Sequence, residues 1–253
     1  MRVMSAIEQT NRGNVAILRM THGRANAIDL ELCEALIQEL DSCRQSSAEA
    51  VVLTGQSRVF SAGIDLPRVV EGGAPYVRVF LPTLRQAFEA LFAFPKPLVS
   101  AINGHAVGGG CVLACCGDYR LVARGSGRIG IPRPVGVPFP VAPLEIMRFT
   151  TPPQHLQSMA YRGVTLTPDE ALRHGLVDAI ADADHLLDEA VAEADALAAV
   201  PTAAFGLMKR QLREPTLRCI RESASVDAAV LEAWTGEPTL TAIREYVTRT
   251  LKR

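Results

Sequence analysis

Asn103-Gly104-His105-Ala106-Val107-Gly108-Gly109-Gly110-Cys111-Val112 is the stretch whose reading decides the fold of this chain. The apolar run Leu98 to Ile102 before it suits a strand, and the apolar residues after it suit a helix. Three consecutive glycines at a helix start leave backbone N–H groups uncovered, and such an end holds an anion. A second glycine turn, Phe60-Ser61-Ala62-Gly63-Ile64-Asp65-Leu66, follows the apolar strand Ala50 to Leu53. It can bring another N–H to the same oxygen, and two converging amides make an oxyanion hole. Glycines also serve turns and close packing, and that reading stays open for either run taken alone.

Strand and helix alternate around these turns. Val15 to Met20 and Tyr119 to Ala123 have the length of strands; Leu32, Ala35, Leu36 and Leu40 mark one helical face over Leu30 to Leu40, and Val77 to Phe92 reads as helix. This order predicts parallel strands covered by helices. Thr167-Pro168-Asp169-Glu170 starts a further helix, with Thr as N-cap and Glu three residues on, and Gly175 is placed to end it. From Asp184 onward the period is helical, with breaks expected near Pro201, Pro215 and Pro238. The 253 residues suit one α/β core over residues 1–190 and a helical region over residues 191–253.

The formal net charge of −1 and pI of about 6.5 give no electrostatic footprint for nucleic acid or an acidic membrane surface. Six cysteines lie without C-x-x-C pairs or His partners at zinc spacing, so neither a disulfide framework nor a metal site is expected. They read as small packed thiols. The N-terminus lacks an apolar stretch of signal length and no run approaches the length of a membrane span, so a cytoplasmic location is expected.

The two glycine turns stand in order with Arg24-Ala25-Asn26-Ala27-Ile28, Cys116-Gly117-Asp118-Tyr119-Arg120, Gly136-Val137-Pro138 and Thr167-Pro168-Asp169-Glu170-Ala171. From about Val15 onward the chain resembles the enoyl-CoA hydratase/isomerase family, the crotonases. The resemblance implies the ClpP/crotonase-like fold, a spiral of ββα units with a C-terminal helical layer that makes the subunit contacts of a homotrimer or dimer of trimers. It also implies an acyl-CoA substrate, with CoA as part of that substrate and no separate cofactor. The oxyanion amides would be those of Ile64 and Gly109, and losing one such donor typically costs about 3 to 4 kcal/mol of barrier. Arg24, Ala25, Ala27, Ser61 and Ala62 would line the CoA entrance, Arg24 by pairing with phosphate. Tyr246 and Arg249 fall where relatives offer an aromatic and a basic residue to CoA, often from an adjacent subunit. Leu240, Ile243, Val247 and Leu251 equally read as the apolar stripe of an oligomer-contact helix.

The departures from the family pattern bear on the reaction. Relatives that hydrate carry one glutamate on the glycine helix, where this chain has Val112, and a second after a proline, where it has Arg133. With both missing, ordinary hydration is not expected. The remaining candidates for a single base are Glu145, Asp65 and His105. Each has a structural alternative: a first-turn surface Glu, a carboxylate bonded to local backbone, a packed imidazole. Arg133 either binds a substrate carboxylate or points to solvent. An enolate-stabilising lyase or isomerase, a decarboxylase, a thioester hydrolase and a non-catalytic acyl-CoA binder all remain open, because one scaffold hosts many reactions.

Overall fold

The computed structural model describes residues 6–132 and 136–250. One sheet of six strands has the order β1 (Ile7–Arg12), β2 (Val15–Met20), β3 (Ala50–Thr54), β5 (Leu98–Ile102), β7 (Tyr119–Ala123), β10 (Ala179–Ala181). A second has the order β4 (Val59–Ser61), β6 (His105–Val107), β8 (Ile129–Ile131), β9 (Val164–Leu166). All neighbours are parallel except β1 with β2 and β8 with β9. Each consecutive pair β3/β4, β5/β6 and β7/β8 places one strand in each sheet, which is the spiral the resemblance implied. The helices α1 (Leu30–Gln45), α2 (Leu66–Phe92) and α3 (Gly109–Cys115) connect successive turns of it.

The inner strands β2, β3 and β5 read as nearly continuous apolar runs because both their faces are covered, whereas the edge strand β1 is polar and exposed beyond Ile7. Along β2, Ala16, Leu18 and Met20 enter the main core with Leu32, Leu36 and Phe60. Val15 and Ile17 point the other way, with period two, into a second core. That core is closed by Leu186, Ala190 and Ala194 of α7 (Leu186–Ala198). Burying a Val, Ile or Leu side chain in this way contributes about 1.5–3 kcal/mol, and an alanine methyl less. Helix α7 therefore belongs to the sheet, and it runs straight through the 190/191 division expected from sequence. The chain leaves the sheet layers only after it.

Asp29 caps α1 by accepting from Leu32 N at 2.9 Å, and the helix continues past Leu40 to Gln45. Helix α2 begins eleven residues before the expected Val77, at Leu66, with a break at Gly73 (φ 55°, ψ −154°) that marks where the regular apolar spacing starts. The smaller helices α4 (Val141–Thr150), α5 (Pro153–Arg162) and α6 (Pro168–Arg173) follow β8. Thr167 and Glu170 form the expected reciprocal cap of α6, and Gly175 stands just past its end at φ +69°. The C-terminal layer is α8 (Thr202–Glu222), α9 (Ala224–Thr235) and α10 (Glu237–Thr250). The expected break at Pro215 does not occur. An interior proline costs a helix about 3 kcal/mol, but buried Arg213 and Leu217 anchor α8 on either side of it.

Candidate functional site

The two glycine motifs meet through the segment at residues 24–28. Ala62 N donates to Ala25 O (2.9 Å), Ile28 N to Gly63 O (2.8 Å) and Asp65 N to Ile28 O (3.0 Å). Asn26, fully buried at φ 47°, donates from its amide to Phe60 O at 3.0 Å, and Ser61 Oγ donates to Asn26 O at 2.7 Å. These bonds hold the turn after β4 like an added strand. On its other side the turn packs directly on the start of α3: a Cβ at Gly63 (φ +84°) would stand 2.6 Å from Val107 O and 3.0 Å from Gly109 N. The amides of Ile64 and Gly109 are thereby brought together. Ile64 N lies 3.6 Å from the point where a Cβ on Gly109 would stand, and neither amide donates to another group among the described residues. Two free N–H donors so placed can hold one oxygen as charge develops on it.

They open on a cavity of about 420 Å³. Ala25, Ala27, Ala62 and Pro67 form its outer part, Gly109 and Val112 lie along α3, and Leu84, Phe88, Phe139 and Trp234 enclose its apolar part. Apolar walls with a few convergent polar groups are typical of small-molecule sites. A family model described as enoyl-CoA hydratase/isomerase matches residues 10–245.

The chain belongs to the enoyl-CoA hydratase/isomerase family. This family acts on acyl-CoA thioesters. A relative named a putative enoyl-CoA hydratase, from Thermus thermophilus, is 31% identical over 235 residues, covering 90% of this chain and 92% of its own. A crystal structure of a probable enoyl-CoA hydratase from Mycobacterium tuberculosis is similar at a TM-score of 0.80 and 26% identity, covering 98% of this chain and 99% of that one. The human mitochondrial delta3-delta2-enoyl-CoA isomerase shares the fold at a TM-score of 0.91 and 24% identity, covering 98% of each chain.

Against this crotonase frame the candidate residues separate. Ile64, Gly109, Ala25, Ala27, Ala62, Asp65 and Tyr246 all line the one cavity. Tyr246 lines it from α10 of the same chain. Ser61 is fully buried and bonded to Asn26 O and Gly63 N, so it supports the turn without lining the cavity. Arg24 and Arg249 are exposed and outside the lining, Arg24 beside Ala25 and Arg249 one turn after Tyr246. Arg133 and Leu251 lie outside the described residues.

Two of the three expected bases are elsewhere. On α4 it is Pro143 that lines the cavity, and Glu145, two residues on, is turned roughly 200° around the helix. Glu145 stands in the second turn, not the first, and pairs with Arg148 at 3.1 Å. His105 sits on β6, between β4 and β8, where its Nδ1 accepts from Arg128 N at 3.3 Å. Asp65 alone of the three lines the cavity; it also caps α2, with Oδ1 accepting from Arg68 N at 2.9 Å. Among the described lining residues it is the only carboxylate.

Behind the site, Cys111 and Cys115 are buried on α3 outside the cavity lining. The hydrogen bond from Cys111, helped by Arg120 and opposed by burial, holds the Cys115 thiol below its ordinary value, while Cys111 is pushed up. Further along, Asp118 pairs with Lys209 at 2.6 Å and Arg213 at 2.8 Å, both from α8. Arg213 also donates to the carbonyls of Cys116 (3.0 Å) and Gly117 (3.1 Å) at the end of α3. Burial pulls Lys209 down to about 8, with Asp118 acting in the opposite sense.

Sequence reasoning missed the apolar wall. Trp234, the sole tryptophan, was one signal available for it. The stripe Leu240, Ile243, Val247 is buried within the chain, where α10 packs on α2 and α9, so those three residues need no second subunit to cover them.

Proposed function

We propose that this crotonase binds acyl-CoA thioesters with the thioester oxygen on the amides of Ile64 and Gly109, and that it stabilises the enolate without hydrating a double bond. The observation that carries the reading is the pair of unpaired amides at a cavity where Val112, 1% exposed, stands in place of a glutamate. Adding water needs one group to activate the water and another to protonate carbon, each worth roughly 10²–10⁴ in rate. Enolisation needs only one base. Asp65 takes the proton from the α-carbon, the C–H electron pair becomes the π bond between Cα and the carbonyl carbon, and the carbonyl π electrons move onto the oxygen held by the two amides. Returning a proton to the α-carbon after the one on Asp65 has been replaced from solvent gives exchange; delivering the proton to the γ-carbon of a 3-enoyl thioester gives isomerisation to the 2-enoyl form. The balance is complete with no second group.

A second reading, a binder without chemistry, is favoured by one observation: Asp65 Oδ1 is occupied in capping α2. Deuterium exchange of a saturated acyl-CoA followed by NMR separates the two. Exchange at the α-carbon is expected, together with no detectable hydration of crotonyl-CoA; tight binding with no exchange supports the binder, and rapid hydration contradicts both. Arg24 and Arg249 are proposed to meet the CoA phosphates. Assembly as a trimer or dimer of trimers in the cytoplasm is also proposed, with exposed Leu207, Met208 and Leu212 of α8 as apolar surface for a neighbour.

A further inference from the structure

Among the described residues, the cavity is lined by exposed side chains at one end and by buried ones at the other. Ala62 and Pro67 are exposed, whereas Leu84, Phe88 and Trp234 are each 1% exposed, so the buried end lies among the helices α2 and α9. Leu84 and Phe88 present only carbon to it, and Tyr246 is the described lining residue that carries a neutral hydroxyl. The one polar side-chain atom that Trp234 brings, Nε1, donates to Pro138 O at 2.8 Å and offers nothing to a ligand.

The indole is also held in place. Asp227, seven residues earlier on α9 and therefore on the same face after two turns, pairs with Arg85 of α2 at 2.6 Å and accepts from Val141 N, at the start of α4, at 3.2 Å. Helix α9 is thus fastened to α2 and α4 at one end and, through Trp234, to the loop at residues 137–140 at the other. A bulky ring fixed at both ends acts as a wall, since packed interiors move discretely rather than yielding.

We propose that Trp234 sets the acyl-chain length of the site, which accepts uncharged apolar acyl groups that end against the indole. The inference rests on the acyl-CoA reading above. No Lys, Arg, His or Glu is among the described residues of the lining, and Asp65 belongs with Ile64 at the amide end. Among the described residues of the lining no cation stands there to pair with a carboxylate carried at the far end of an acyl chain, and burying one unpaired is costly.

Calorimetric titration of saturated acyl-CoAs from butyryl to hexadecanoyl, with adipoyl-CoA against hexanoyl-CoA, tests this on wild type and Trp234→Ala. Wild-type affinity should rise by about fourfold per added CH₂ and then stop rising at a break length. The Ala variant should move that break to longer chains, and adipoyl-CoA should bind about tenfold or more weakly than hexanoyl-CoA to wild type. Trp234→Phe, which keeps most of the ring packing, should move the break in the same direction by less; it carries the test where the Ala variant does not fold by thermal melt. An unchanged break in the folded variant, or equal binding of adipoyl and hexanoyl thioesters, overturns the inference while leaving the acyl-CoA reading in place. Free CoA binding as well as every thioester overturns that reading and the inference with it.

Discussion

The backbones of Gly110 and Ser61 touch so closely that a Cβ on the glycine would stand 2.2 Å from the Ser61 carbonyl oxygen. This contact joins the two glycine motifs, and backbone on both sides leaves nothing flexible to yield. Gly109, one residue earlier, is different: a Cβ there meets the tip of the Ile28 side chain at 2.9 Å, which can turn away.

Gly110→Ala is therefore expected to lower stability by about 1–3 kcal/mol or more through overpacking, with loss of acyl-CoA affinity. Gly109→Ala should leave the melting temperature much closer to wild type, yet its methyl would stand 3.6 Å from Ile64 N, beside the position of the bound oxygen. Thermal melts paired with acyl-CoA titrations check both. Equal stability losses in the two variants would show that the backbone contact is not what holds the motifs together.

Asp65 does two things that substitution can separate. Asn retains a side-chain oxygen to accept from Arg68 N and keeps the cap of α2, but cannot take a proton. Asp65→Asn should keep stability and acyl-CoA affinity near wild type while α-proton exchange is lost. Asp65→Ala loses the cap as well, at a cost of about 0.5–2 kcal/mol. Exchange surviving in the folded Asn variant would remove Asp65 from the chemistry.

The buried charges behind α3 give an asymmetric expectation. Asp118 serves two cations, so Asp118→Asn strands both and should cost about 3–5 kcal/mol, the range for breaking a buried pair from one side. Lys209→Met leaves Asp118 still paired with Arg213 and removes a costly burial, and should cost clearly less. The pH dependence has a definite sign. Lys209 titrates near 8 in the folded chain against an ordinary 10.5, so between those values the unfolded chain holds a proton that the folded chain lacks. Stability from this group should rise as pH climbs through that window, and Lys209→Met should lose the rise. Denaturant melts at several pH values measure it; a fall in wild type relative to the variant would contradict the burial of the ammonium.

Much of this architecture is legible in the sequence, for physical reasons that also mark where legibility ends. Strands β2 and β5 have the expected bounds because strands buried on both faces are largely apolar runs, and β7 has them with its buried part confined to Leu121–Ala123. The three-residue strands β4, β6 and β8 have no such signal; they exist because glycines on neighbouring turns let backbones approach. The segment around Asn26, the Ile64 turn and the Gly109 turn are legible as motifs since their close packing rests on backbone geometry that few residues permit. Glu145 and His105 are not: whether a side chain faces a cavity depends on helix phase and sheet position, and for Glu145 two residues of phase on α4 decide it. The helix stripe at Leu240, Ile243 and Val247 shows an apolar face but not which surface covers it, and the covering surface is α2 and α9 of the same chain.

Val112→Glu tests the absence of hydration most directly. Val112 is buried at a cavity whose walls are otherwise apolar around it, so burial would push a carboxyl placed there well above its ordinary pKa and keep it protonated near neutrality. A protonated carboxyl cannot activate water, and a second acid/base group is still needed to complete the reaction. With both groups missing in wild type the deficit relative to a two-carboxylate hydratase is about 10⁴–10⁸ if they act separately, and less if they are coupled. Crotonyl-CoA hydration, followed by the loss of enoyl absorbance, should thus be undetectable or very slow in wild type and no faster in the Glu variant. Fast turnover by wild type would mean that another side chain has taken over the acid/base work. Since Glu145 is turned away and paired with Arg148, Asp65 is then first in line, and Asp65→Asn should abolish that turnover while Glu145→Gln leaves it unchanged.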